Sequence, residues 1–365
     1  MKKQIHSGSL KQELSEREKR HSALARRAAA EGIVLLKNEG MLPLKTSDPI
    51  ALFGSGAGKT VKGGIGSGDV NNRNSISVYR GIKEAGAVVT NEDWIQDYDK
   101  RYKEAREEWK EKILEDVRHV QNPFDAYAAN PFSLPDGRRI QETDLKGAAA
   151  AVYVISRISG EGKDRRIEKG DYYLSSRERE DILYLDRFHI PLILILNSGG
   201  PVELTDILQE TENIRAVLNI SQPGQEGGHA VADILFGRAV PEGKLTATWA
   251  RQYEDYPFSD TYSYLNGDLE KEEYREGIYV GYRYFDSFGV KPLFSFGYGL
   301  SYTSFGLAFR VLQTEKSSVQ ARVAVTNTGQ SYAGREVVQV YVSFPQGRIE
   351  KESRRLAGFA KTDRL

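Results

Sequence analysis

Two glycine-rich segments carry the polar side chains best suited to chemistry. The first, GGIGSGD at 63–69, offers Ser67 and Asp69, and the second, RISGEGKDRR at 157–166, places Glu161 between two glycines. Glycine tolerates positive φ and close approach of the backbone, so flanking glycines let a short side chain project away from its scaffold. A carboxylate presented in this way suits general acid or base chemistry. Either segment could equally be a structural turn or a solvated loop.

The elements around these segments predict where they lie. Short apolar runs indicate strands at 33–36, 50–54, 87–90, 149–156, 190–197 and 214–220, with helical patterns at 10–31, 75–85, 97–118, 175–188 and 225–237. Continuous rather than alternating apolar strands are typical of a mostly parallel sheet covered by helices on both faces. Open α/β sheets bind ligands at the carboxyl ends of their strands, and both glycine-rich segments directly follow strands. We therefore expect both at one edge of the sheet, with Asp164, Arg165 and Arg166 fixing the second by ion pairs.

The rest of the chain changes character after the sheet. Residues 253–305 hold 16 of the 37 aromatic residues, which indicates either a connector pinned by aromatic packing or a surface that stacks on sugars. Beyond them, 319–327 and 336–344 alternate apolar and polar residues, as antiparallel strands do, and 356–361 is one more candidate. The predicted domains are a helical lead-in at 1–19, an α/β sandwich at 20–248, the connector at 249–304 and part of a β-sandwich at 305–365.

Composition excludes several classes of function. The 51 basic and 51 acidic residues cancel, which leaves no basic excess to hold nucleic acid. The absence of cysteine excludes disulfides and thiolate chemistry, and no apolar run is long enough to span a membrane. The first residues lack the apolar core of a secretory signal, so we expect a cytoplasmic protein. The five histidines have no metal-ligand spacing, and we expect no metal and no cofactor.

Other motifs are less specific. GSGAGKT at 54–60 resembles a phosphate-binding loop, but Phe53 stands where that motif needs its first glycine, which argues against nucleotide binding. There is no GxSxG nucleophile elbow, and Asn197-Ser198-Gly199-Gly200 is interpreted as a strand-to-helix turn. The proline-rich stretch 121–137 is predicted as a loop, either a surface excursion or one that leans over a site.

Several longer strings resemble one family. They are AAAEGIVLLKNEGMLPL (28–44), GGIGSGD (63–69), ISGEGKDR (158–165), QPGQEGGHAVADILFGRAVPEGKL (222–245), IYVGYRYFD (278–286) and FSFGYGLSYTSF (294–305). In this order they are similar to glycoside hydrolase family 3, which includes β-glucosidases and β-xylosidases. That family pairs a catalytic TIM-like barrel with an α/β sandwich and often with a fibronectin type III-like domain. The resemblance implies that this chain is the sandwich followed by the start of the fibronectin-like domain.

The resemblance also implies roles for two residues. Family members are retaining exo-glycosidases, which need two carboxylates about 5 Å apart. The resemblance places the acid/base role on Glu161 of the SGEG motif and a glycone-binding role on Ser67 of the GSGD motif. It implies that the nucleophilic aspartate lies on the barrel. The resemblance implies a β-glucoside or oligosaccharide as the substrate. Because no barrel is recognisable in this sequence, we expect the missing barrel as a partner and an inactive isolated chain.

Alternatives to this interpretation remain open. The start at Met1 directly before the sandwich fits family members in which the sandwich precedes the barrel, and we would then expect the chain to be the first part of a longer enzyme. A non-catalytic carbohydrate-binding or scaffold protein, a β-xylosidase specificity and, least favoured, a nucleotide-binding protein are the competing hypotheses. Sugar, linkage and oligomeric state are not encoded in any motif of the chain.

Overall fold

A computed structural model describes residues 12–65, 68–159, 165–268, 270–316, 318–345 and 347–365. Its helices are α1 (Glu16–Gly32), α2 (Ser55–Gly58), α3 (Val78–Glu84), α4 (Glu92–Asp116), α5 (Pro123–Ala129), α6 (Ser176–Asp186), α7 (Thr205–Glu210), α8 (Gly227–Leu235) and α9 (Tyr282–Phe288). Its strands are β1 (Val34–Asn38), β2 (Ile50–Phe53), β3 (Ala150–Ser156), β4 (Leu192–Asn197), β5 (Ile214–Asn219), β6 (Phe305–Thr314), β7 (Val319–Asn327), β8 (Val337–Ser343) and β9 (Arg354–Lys361).

The centre of the molecule is a five-stranded sheet of order β1-β5-β4-β3-β2. Strands β2 to β5 are parallel, and β1 joins β5 antiparallel at the far edge. Every residue of β2, β3 and β4 is buried, which explains why the sequence shows continuous apolar runs there. The predicted mostly parallel sheet is confirmed.

Helices cover both faces of this sheet. Helix α8 packs against α1 and α3, α4 contacts β2, and α6 contacts β3. The α3–α8 contact is so close that a β-carbon on Gly81 would lie 2.0 Å from the carbonyl oxygen of Gly228. Glycine at this crossing is therefore required by the packing distance between the two helices.

Two predicted elements differ in the structure. Residues 121–137 are not loop throughout, because 123–129 form helix α5. Pro123 occupies the first turn, where its missing N–H costs nothing, and Asn122 caps the helix. Residues 87–90 do not form a full strand: Val89 makes one isolated bridge to Ile50 at the edge of the sheet.

The aromatic segment packs back onto the sheet. Leu300 pairs with Leu35 of β1, and Trp249 and Phe294 pair both through their backbones and through their rings, 6.0 Å apart. Strands β6–β7 and β8–β9 then form two antiparallel pairs. The architecture is thus an α/β sandwich followed by a smaller fibronectin type III-like β unit. The domain boundaries after residues 19, 248 and 304 stay predictions.

Candidate active site

The two glycine-rich segments meet at the carboxyl edge of the sheet. They leave the adjacent parallel strands β2 and β3, and the backbone N–H of Ile65 donates to the carbonyl of Ser159 at 3.1 Å. Gly54, directly after β2, has φ of 90°, and a β-carbon there would lie 2.3 Å from the carbonyl oxygen of Val154. Glycine is therefore required where the chain leaves β2 toward the first segment. The predicted placement of both segments at one edge therefore holds for their described parts.

The two predicted site residues themselves, Ser67 and Glu161, lie outside the described residues, as does Asp164. Asp69, the other polar group of the first segment, is exposed and lies 3.3 Å from the ammonium of Lys62. Each predicted residue follows the Ile65–Ser159 hydrogen bond by two positions along the chain. Their roles stay predictions.

A buried ion pair anchors the start of the second segment. Arg157, at the end of β3, makes a bidentate pair with Glu178, with N–O distances of 2.7 and 2.8 Å. Its Nε also donates to the carbonyl of Asp171 at 2.7 Å. Glu178 in turn closes a capping box with Ser175 at the start of α6. One guanidinium thus joins the end of a strand, the returning loop and the first turn of a helix.

Two further arginines anchor the end of this segment, as the sequence predicts. Arg165 pairs with the Asp171 carboxylate and donates to the Asp171 and Pro201 carbonyls at 2.9 and 3.1 Å. The backbone N–H of Arg166 donates to the other Asp171 carboxylate oxygen at 2.6 Å, and its side chain pairs with Glu168 at 3.4 Å. Both ends of the segment that contains Glu161 are therefore fixed to the body of the sandwich.

A cavity of about 350 Å³ opens beside these anchors. Its lining includes residues 131–137, 156–159, 165–166 and 168–171, together with Trp94. The second interpretation of the proline-rich stretch, a loop that leans over a site, fits this position. The stretch is held there by the Trp109 indole N–H, which donates to the carbonyl of Asn130 at 2.6 Å.

Sequence reasoning missed the Arg157–Glu178 pair. The signal was present, because Ser175-x-x-Glu178 is a capping-box pattern before an apolar run. What it could not show is that the capping carboxylate also faces a buried arginine 21 residues earlier in the chain.

The segment at 54–60, which resembles a phosphate-binding loop in sequence, makes other contacts in the structure. Residues 55–58 form the single turn α2, and Lys59 pairs with the Asp99 carboxylate while lying 5.0 Å from the centre of the Tyr102 ring. The lysine that would reach a phosphate is thus engaged by α4, which adds to the argument against nucleotide binding.

Asp181 makes the stability of the chain depend on pH. It is 4% exposed, lies behind the site, and accepts a hydrogen bond from the Tyr153 hydroxyl at 3.1 Å. Burial raises its pKa to about 7, although the Tyr153 bond and Arg177 oppose the shift. An unfolded aspartate ionises near pH about 3.9. The folded state therefore holds the proton more tightly, and its stability falls as pH rises from about 4 to about 7.

We expect Asp181→Asn to abolish this loss. The measurement is the free energy of unfolding in urea at several pH values. The difference between variant and parent should increase in favour of the variant up to about pH 7 and stay constant above it. Asp206→Asn, on the exposed side of α7, is the control and should keep the parent's slope. Parallel curves for Asp181→Asn and the parent throughout would contradict the prediction.

Two features are absent from the described part of the chain. No group of three or more His, Asp or Glu side chains there is placed to hold a metal ion. Nor is any helix in those ranges both long and apolar enough to cross a membrane.

Comparison with known proteins finds several relatives that are named beta-glucosidase. Beta-glucosidase A of Butyrivibrio fibrisolvens is 35% identical over 94% of this chain and 44% of its own length, and thermostable beta-glucosidase B of Acetivibrio thermocellus is 33% identical over 93% and 41%. Among solved structures, beta-glucosidase 3B from Thermotoga neapolitana in complex with glucose is 38% identical, with a TM-score of 0.80 over 95% of this chain and 47% of that one. The chain thus spans less than half the length of these relatives.

The family model of the glycosyl hydrolase family 3 C-terminal domain matches residues 33–302. The match begins just before β1 and continues through the connector, so it includes the whole five-stranded sheet and both segments of the candidate site. The resemblance in the glycine-rich motifs and the agreement of the fold lead to one conclusion: this chain belongs to glycoside hydrolase family 3, through that family's C-terminal domain.

Proposed function

We propose that this chain supplies the acid/base half of a retaining exo-β-glycosidase of the β-glucosidase type. The observation that carries the proposal is the hydrogen bond between Ile65 and Ser159 at the carboxyl edge of the sheet. Ser67 and Glu161 each follow this bond by two positions in the sequence, and we propose that the two act on one substrate. One sugar ring and its glycosidic oxygen could then contact both.

The proposed reaction has two steps. Glu161, protonated, donates its proton to the glycosidic oxygen while the aspartate nucleophile attacks the anomeric carbon, which releases the leaving group and forms a glycosyl-enzyme. Glu161, now ionised, takes a proton from water as that water attacks the anomeric carbon and frees the nucleophile. Ser67 would hold a hydroxyl of the sugar that stays on the enzyme. We propose that the nucleophile comes from a separate catalytic domain.

The charges around the second segment support the acid role. A general acid must be protonated when substrate binds, and an unpaired guanidinium nearby would favour the ionised form. Here each of the three arginines of the second segment has its own carboxylate: Arg157 pairs with Glu178, Arg165 with Asp171 and Arg166 with Glu168. On this proposal the pKa of Glu161 is raised in the substrate complex, because a desolvated site and a negative nucleophile both raise the pKa of an acid.

The substrate class follows from the relatives. The curated relatives named above carry the name beta-glucosidase, and the Thermotoga neapolitana structure holds glucose. We propose terminal β-D-glucosyl residues as the substrate, with β-xylosides as the alternative.

The test is a chimera in which this chain replaces the matched part of beta-glucosidase 3B from Thermotoga neapolitana. We expect the chimera to hydrolyse a chromogenic β-glucoside and the isolated chain to show no turnover. Turnover by the isolated chain that depends on Glu161 would mean that the nucleophile lies within this sequence. A folded but inactive chimera, together with sub-millimolar glucose binding by the isolated chain in calorimetry, would favour a carbohydrate-binding protein instead.

A further inference from the structure

A buried amide lies beneath both segments of the candidate site. Asn197, the last residue of β4, is fully buried, and its side-chain oxygen accepts from the Val61 N–H at 2.6 Å and from the Ser156 hydroxyl at 2.8 Å. Its NH₂ donates to the carbonyls of Val61 and Ser221 at 2.9 and 2.7 Å. An asparagine amide has two donors and two acceptor positions, so all four are used. They join the loops that follow β2 and β5 to the end of β3.

The residue that this amide holds is strained. Ser221 has φ of 49°, in the left-handed region that few residues other than glycine adopt. Such a conformation costs on the order of 1 kcal/mol or more and persists only where the surroundings impose it. Here Asn197 binds the carbonyl of Ser221, and the Asn219 side chain accepts from its N–H at 3.2 Å. Strain of this kind concentrates at functional sites.

The strained turn directs the next residues to both segments. The Gln222 amide donates to the Ser159 hydroxyl at 2.8 Å, and the Gly224 N–H donates to the carbonyl of Lys62 at 2.8 Å. With the Ile65–Ser159 bond, these contacts form a closed ring. The loop after β2, which contains the first segment, the second segment and the loop after β5 are each bonded to the other two.

We propose that Asn197 and Gln222 are positioning residues that set the distance between the two segments. Asn197 fixes Val61, two residues before the first segment, and imposes the turn at Ser221, and Gln222 carries that constraint to Ser159. The consequence for catalysis rests on the proposed function, since the constraint matters most if the segments contact one substrate. The constraint itself is a property of the described residues and can be tested separately.

The first test uses the isolated chain and hydrogen exchange. Asn197→Asp keeps the shape but loses both donors, and it turns an oxygen toward two carbonyls. We expect at least about tenfold faster exchange of the Val61, Ile65 and Gly224 amides, because local opening governs their protection. Gln222→Ala, at a partly exposed position, should speed exchange at Ile65 without lowering the melting temperature.

The matched control is Asn213→Asp, at the other end of the sheet. Asn213 is also buried and also binds through its amide, to the carbonyl and carboxylate of Asp186. It should change protection only around α6 and the start of β5. Acceleration confined to Val61 in Asn197→Asp, with Ile65 and Gly224 unchanged in both site variants, would overturn the proposal.

The second test uses the chimera described above. Misplacement of a catalytic group by about 1 Å can cost roughly a hundredfold in rate. We expect Gln222→Ala to lower kcat roughly tenfold to a hundredfold while KM changes little, and we expect the acidic and basic limbs of its pH–kcat profile to shift. Asn197→Asp should instead raise KM through the first segment. An unchanged kcat and pH profile in Gln222→Ala would contradict the positioning role.

The two failures are distinguishable. If the unmodified chimera hydrolyses no β-glucoside, the proposed function fails, and hydrogen exchange still decides whether the constraint exists. If the chimera is active but neither variant alters exchange in the two segments, the positioning role fails alone.

Discussion

Replacement of Glu161 by glutamine should lower kcat/KM of the chimera for alkyl β-glucosides by roughly 10²–10⁴, the usual contribution of a general acid. Glutamine keeps the size of the side chain but has no proton to give to the leaving oxygen. Aryl glucosides with acidic leaving groups should lose much less in the first step, because their oxygen departs without protonation. The measurement is kcat/KM against the leaving-group pKa, for which the variant should give the steeper dependence.

The control for this substitution is Glu104→Gln, on the exposed face of α4. It should leave kcat/KM unchanged for every substrate. Equal losses across alkyl and aryl substrates in Glu161→Gln would argue against proton donation. Such a result would leave Glu161 with a binding role at most.

Replacement of Arg157 by methionine should destabilise the isolated chain by about 3–5 kcal/mol, the cost of leaving a buried charge unpaired. Arg157 is 5% exposed and Glu178 is 8% exposed, so water cannot take the place of the guanidinium. The loss should appear as a lower free energy of unfolding in urea. The second segment should lose protection as well, because Arg157 also holds the carbonyls of Asp171 and Tyr173.

Arg139→Met is the matched control for this prediction. Arg139 pairs with Glu180 at 3.0 Å, but both side chains are more than half exposed, and such pairs contribute about 1 kcal/mol at most. The double variant Arg157→Met/Glu178→Leu should recover part of the loss, since it removes the unpaired charge. A cost below about 1 kcal/mol for Arg157→Met would contradict the buried-pair interpretation.

The sheet was predictable because its signal is local. Fully buried parallel strands leave continuous apolar runs, and the strands β2 to β5 follow such runs closely. Helix α5 was missed because three prolines in 121–137 outweighed the one observation that mattered, namely that Pro123 stands at a helix start. The run at 87–90 has strand composition but only one bridged residue, Val89.

The site was predictable only in part. That both glycine-rich segments lie at one edge follows from parallel topology and could be argued from the sequence. Which side chains support them could not, because the partners are far apart along the chain: Asn197 binds Val61, 136 residues earlier. A buried amide with four partners looks the same in sequence as an asparagine in an ordinary turn.

The pairing of Leu300 with Leu35 bears on how this protein can be cut. Residue 248 separates two compositions and would be a natural place to divide the gene. The chain beyond it nevertheless returns to β1, and the Tyr302 hydroxyl donates to the Ile234 carbonyl of α8 at 2.8 Å. The family match also ends at residue 302. A truncation at 248 would therefore remove the bridge between Leu300 and Leu35 of β1, whereas one just after 302 would keep it.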